Sequence, residues 1–98
     1  MGYSILGFRL SVQMGKSTFS ATYNRFRRLL VNAREKKGFT QADVAAKLAK
    51  PQSFVSKYEL GERRLDVVEF LAVTKALGVD PVKLLKQLGD KGAPNNTR

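Results

Sequence analysis

The chain has 98 residues, with eighteen Lys and Arg against eight Asp and Glu, a formal charge of +10, and neither Cys nor His. That length suits one domain with a modest core, and the missing Cys and His exclude disulfides, thiolate metal sites, imidazole catalysis and most zinc chemistry. The acids stand singly along the chain, so no carboxylate pair suggests general acid–base work, and we expect no enzyme, cofactor or metal.

Residues 1–22 show no sustained period and are rich in Ser, Thr and Gly; they read as a flexible arm. Met14, followed by Gly-Lys-Ser-Thr, is a candidate start for a shorter product. Gly15-Lys16-Ser17 looks like the end of a phosphate loop, but the required earlier Gly is Leu10, which rejects that reading. Arg9 interrupts the mildly apolar start, and Leu6 stands where myristoylation requires Ser or Thr, so neither a secretory signal nor that lipid anchor is expected. No apolar run is long enough to cross a membrane.

The spacing predicts a first helix over Tyr23–Lys37, with Phe26, Leu29, Leu30 and Ala33 inward and Gly38 as its stop. Thr40 caps a second helix, Gln41–Leu48, with Asp43 as partner in a shortened capping box. Val44, Ala45 and Leu48 share its inner face. Pro51 then opens a third helix, Gln52–Leu60. Val55 and Tyr58 turn inward, while Gln52, Ser53 and Lys57 face outward with Phe54 and Ser56 at the flanks.

Asp66 and Glu69 start a fourth helix that runs to Leu77, with Gly78 as its stop. Leu65 just before it, and Val68, Leu71, Ala72 and Leu77 along it, are expected core residues. Asp80-Pro81 opens a fifth helix, closed by Gly89 after Leu88. Val82, Leu84, Leu85 and Leu88 are more apolar side chains than one small helix needs for docking. Residues 89–98 are polar and read as a disordered tail. The whole is an all-α, five-helix domain over 23–88.

Charge is concentrated on part of it. Residues 23–64 hold eleven Lys/Arg and four Asp/Glu, a balance of +7, against +1 for residues 65–98 and +2 for residues 1–22. Such a surface attracts a polyanion, and the attraction is weakened by salt. A short helix presenting an amide, a hydroxyl and an amine suits the DNA major groove. There Gln and Ser pair with base edges and Lys meets guanine or phosphate.

Residues 40–61, TQADVAAKLAKPQSFVSKYELG, resemble the helix-turn-helix of the lambda-repressor-like (Xre/Cro-type) family. The likeness rests on Thr40-Gln41 at the start, small Ala45 within the first helix, aliphatic Val55 in the second, and Glu59-Leu60-Gly61 at the end. Many relatives have Gly where this chain has Ala49, and a positive φ there would cost Ala roughly 1 kcal/mol. The resemblance implies the compact all-α DNA-binding fold. It also implies a cytoplasmic, nucleoid-associated regulator that binds double-stranded DNA.

Residue by residue, the resemblance implies that Gln41, at the start of the helix-turn-helix (41–60), contacts the DNA backbone, as do Arg63, Arg64 and Lys50. Gln52 and Ser53 read bases, with a cap or phosphate contact as the alternative for Ser53, and Lys57 meets a base or phosphate. Phe54 either meets a thymine methyl or sugar, or shields the turn. Arg34 and Glu59 form a structural ion pair. The expected form is a homodimer with Val82, Leu85 and Leu88 at its interface, acting as a repressor or autoregulator. The alternative is an antitoxin, with a toxin as protein partner and DNA binding as autoregulation.

Overall fold

The computed structural model describes residues 20–92, which form five helices and no strand. They are α1 (Ala21–Lys36), α2 (Gln41–Leu48), α3 (Gln52–Leu60), α4 (Val67–Leu77) and α5 (Pro81–Gly92). This is the expected all-α architecture. The arm residues 1–19, including Met14 and the Gly15-Lys16-Ser17 segment, and tail residues 93–98 lie outside the described residues.

Local chemistry fixes most boundaries. Thr40 and Asp43 form a reciprocal capping box on α2, with bonds of 3.0 and 2.8 Å. Asp66 and Glu69 do the same on α4, at 2.7 and 3.0 Å. Each box satisfies two amides that would otherwise lack acceptors. Asp80 accepts the Val82 N–H at 2.8 Å behind Pro81.

Two ends differ from expectation. α1 starts at Ala21 rather than Tyr23, because Ser20 is its N-cap and accepts the Tyr23 N–H at 3.1 Å. α5 passes through Gly89 to Gly92, so the expected tail begins too early. Gly89 sits in open space, and one exposed glycine weakens a helix by about 1 kcal/mol without ending it.

The turn between α2 and α3 is closed by Ala49 at φ 56°, ψ 43°, among the described residues the one non-glycine at positive φ. Ala46 and Ala45 carbonyls accept the Ala49 and Lys50 N–H groups at 3.1 and 3.0 Å, so the left-handed residue completes the α2 end. Ala49→Gly is expected to stabilise the domain by about 0.5 kcal/mol. Steric relief of about 1–2 kcal/mol exceeds the added unfolded-chain entropy of about 0.4–1 kcal/mol. A denaturant midpoint equal to or below the parent's would refute this.

The core joins all five helices: Phe26 and Leu30 from α1, Val44 and Ala45 from α2, Val55 and Tyr58 from α3, Phe70, Val73 and Leu77 from α4, and Leu84 from α5. Leu29, Ala33, Leu48, Leu65 and Leu88 pack around it, partly buried. Phe26 meets Phe70 with ring centres 5.5 Å apart.

The fourth helix corrects the expected core. Val68, Leu71 and Ala72 face outward, and Phe70, Val73, Thr74 and Leu77 face inward. Both stripes have helical spacing, so periodicity could not choose between them. The larger Phe70 wins the inner face, and buried Thr74 satisfies its hydroxyl on the Leu71 carbonyl at 3.0 Å.

Candidate nucleic-acid interface

Helix α3 is anchored by its inner face. Val55 and Tyr58 are completely or nearly completely buried, and burial pushes the Tyr58 phenol well above its ordinary pKa. Gln52, Ser53 and Lys57 are thereby turned outward and exposed together. The α2 start, carrying Gln41, lies beside the α3 start, with the Gln52 amide donating to the Gln41 carbonyl oxygen at 3.4 Å.

Glu59 organises this corner. The residue is 7% exposed, and its carboxylate accepts from Arg34 Nε at 2.7 Å, Arg34 Nη2 at 3.1 Å and Gln41 Nε2 at 2.8 Å. The Glu59 hydrogen bond and charge raise the Arg34 pKa against the opposing effect of burial. Arg34 also donates to the Phe39 carbonyl at 2.9 Å, and Arg27 donates to the Glu59 carbonyl. Helix α1 thus holds the end of α3, and through Gln41 the start of α2. The Arg34–Glu59 pair follows the family resemblance; the Gln41 and Arg27 links had no sequence signal, since they join elements 18 and 32 residues apart.

The loop after α3 is equally built. Arg63 forms a bidentate pair with Glu69, at 3.0 and 2.6 Å, and its guanidinium lies 4.7 Å from the Phe54 ring centre. Lys50 lies 5.4 Å from that ring centre, and Phe54 itself meets Tyr58 edge-on at 5.6 Å. Phe54 is therefore half-buried in a cation–aromatic cluster. Arg63 shares its charge with Glu69, while Arg64 and Lys50 are more exposed. Arg64 stacks on Tyr23 at 4.4 Å, whose hydroxyl accepts the Leu65 N–H at 3.1 Å.

The Arg63 hydrogen bonds, then the Asp66 backbone N–H, lower the Glu69 carboxyl pKa from 4.5 to about 2. A depressed folded-state pKa stabilises the fold above the unfolded value. The contribution of Glu69 should therefore be complete above pH 4.5 and fade as pH falls toward 2. In denaturation series, Glu69→Gln should trail the parent near neutrality and converge with it in acid. A gap that persists unchanged down to pH 2 would contradict this linkage.

Among the described residues, no group of His, Cys, Asp and Glu side chains could hold a metal ion, and no helix is long and apolar enough to cross a membrane. The arrangement is an exposed polar helix face set in a basic surface, which defines a DNA-binding helix-turn-helix domain.

The comparisons agree. A helix-turn-helix family model matches residues 30–84. An XRE-family-like protein from Pseudomonas syringae pv. tomato str. DC3000 is 46% identical, with a TM-score of 0.72 over 78% of this chain and 93% of that one. The chain belongs to the XRE helix-turn-helix family of DNA-binding transcription regulators. Two restriction–modification controller proteins are also similar. C.AhdI from Aeromonas hydrophila is 29% identical, with a TM-score of 0.61 over 66% of this chain and 98% of that one. C.Esp1396I, solved as a tetramer on its natural 35 base-pair operator, is 25% identical, with a TM-score of 0.67 over 74% and 96%. No curated protein matches the sequence.

Proposed function

We propose that this protein is a sequence-specific regulator that binds a near-palindromic operator as a homodimer and represses or autoregulates transcription. The observation that carries the reading is the exposed Gln52–Ser53–Lys57 face, held at both ends of α3 by the Glu59 network and the Phe54 cluster. Gln52 and Ser53 read base edges, and Lys57 meets a base or phosphate. Gln41, Lys50 and Arg64 set the register on phosphates, with Arg63 fixing the loop that carries Arg64.

Dimerisation is supported by apolar side chains without a place in the core. Val82 and Leu85 on α5 are exposed, as are Val67, Val68 and Leu71 on α4. Leu88, expected beside Val82 and Leu85, instead packs partly buried against the core. One recognition helix reads few base pairs, and two-fold symmetry doubles the information. It places the two helices about 34 Å apart on the duplex. The solved relative C.Esp1396I also assembles on its operator.

Selection from random duplexes is expected to yield near-palindromic sites, and sedimentation should find two chains per selected duplex. Leu85→Lys should weaken that complex about tenfold or more. A one-to-one complex on an asymmetric site, bound equally well by Leu85→Lys, would overturn the dimer.

A further inference from the structure

A groove of about 820 Å³ lies between the C-terminal half of α1 and the start of α5, and none of the residues assigned to DNA lines it. Its apolar floor is made by Leu29, Ala33, Val79 and Leu84, and Lys36 and Lys83 stand on its rim. Lys37, Glu35 and Asp80 complete the charged border. Two of these five groups are engaged: Lys37 donates to the Gly78 carbonyl at 3.2 Å, and Asp80 caps α5. The exposed ammonium groups of Lys36 and Lys83 therefore outweigh Glu35. Such a volume is typical of small-ligand sites, which combine an apolar lining with a few polar groups.

We propose that this groove is a binding site for a small amphipathic anion of the medium-chain carboxylate class. The carbon chain lies along the floor, and the carboxylate meets Lys36 and Lys83. Leu29 to Lys36 spans roughly 10 Å of helix axis, the length of a medium carbon chain rather than of a folded partner's interface. Charge argues against the alternatives. The first 22 residues carry Arg9 and Lys16 and no acid, and a second copy would bring its own lysines to the same rim. The proposal depends on neither the DNA reading nor the dimer.

The test uses decanoate below its micellar concentration as probe, titrated into the full chain and followed by amide shifts in two-dimensional NMR. Decyltrimethylammonium, with the same tail and opposite charge, is the control. Decanoate should shift the amides of α1 from Leu29 to Lys37 and of α5 near Lys83, binding one per chain. The cationic analogue and the double variant Lys36→Glu/Lys83→Glu should each bind at least about tenfold more weakly. Both lysines are exposed, so that variant should melt like the parent; Ala33→Trp, which fills the groove, gives a second, steric block. Equal binding of both amphiphiles would overturn the proposal. So would shifts centred on Val67, Val68 and Leu71, or decanoate binding that survives both variants.

Discussion

Replacing Glu59 by Ala is expected to destabilise the domain by about 3–5 kcal/mol, the range for a buried pair broken on one side. The substitution leaves the guanidinium of Arg34, 13% exposed, without its carboxylate, and removes the acceptor of Gln41. Arg34→Ala should also be severe, and the double variant far less than additive, because each single strands the other residue's charge and the double variant removes both. The replacement Arg34→Met/Glu59→Leu offers a sharper separation. Apolar residues of similar volume should recover much of the stability, yet Gln41 and Gln52 would lose the group that orients them. That variant should fold and still bind its operator poorly. A Glu59→Ala loss below about 1 kcal/mol, the range of exposed pairs, would show that the network adds little to the fold.

Gln52→Ala and Lys57→Ala should each relax preference at particular base pairs by about 1–3 kcal/mol where contacts are direct. Arg64→Ala serves as the contrast. It should weaken binding to all duplexes alike and reduce the salt dependence by roughly one unit of slope. Selection on the variants and titrations over a range of salt read the two effects separately. If Gln52→Ala and Lys57→Ala both retain the parent's sequence preference, α3 is not the reader.

What could be read from the sequence was what lies close together along it. Thr40 with Asp43, and Asp66 with Glu69, announce two helix starts within four residues, and both boxes form. Gly38, Gly61 and Gly78 take the left-handed conformation that ends a helix. The outward face of α3 was legible because Val55 and Tyr58 declare its inner one. Ser20 was lost in a stretch without period, and Gly89 looked like a stop because isolated glycines often are. On α4 two apolar stripes compete, and the contact between Phe26 and Phe70 decides between them across the fold. The Arg63–Glu69 pair was hidden for another reason. Glu69 already had a local task in its capping box, and nothing in the spacing signals a second partner.

The Glu59 corner also sets a direction. A carboxylate can only accept, so Gln41 must offer it the amide nitrogen, at 2.8 Å. The carbonyl oxygen of Gln41 is then turned toward Gln52, which must in turn donate, over the longer 3.4 Å. Gln52 is therefore left with its oxygen and one N–H uncommitted, the acceptor and donor that an adenine edge would require in the proposed complex. A negative charge held by α1 thus dictates, through two side-chain amides, which way round Gln52 is presented on the outer face of α3.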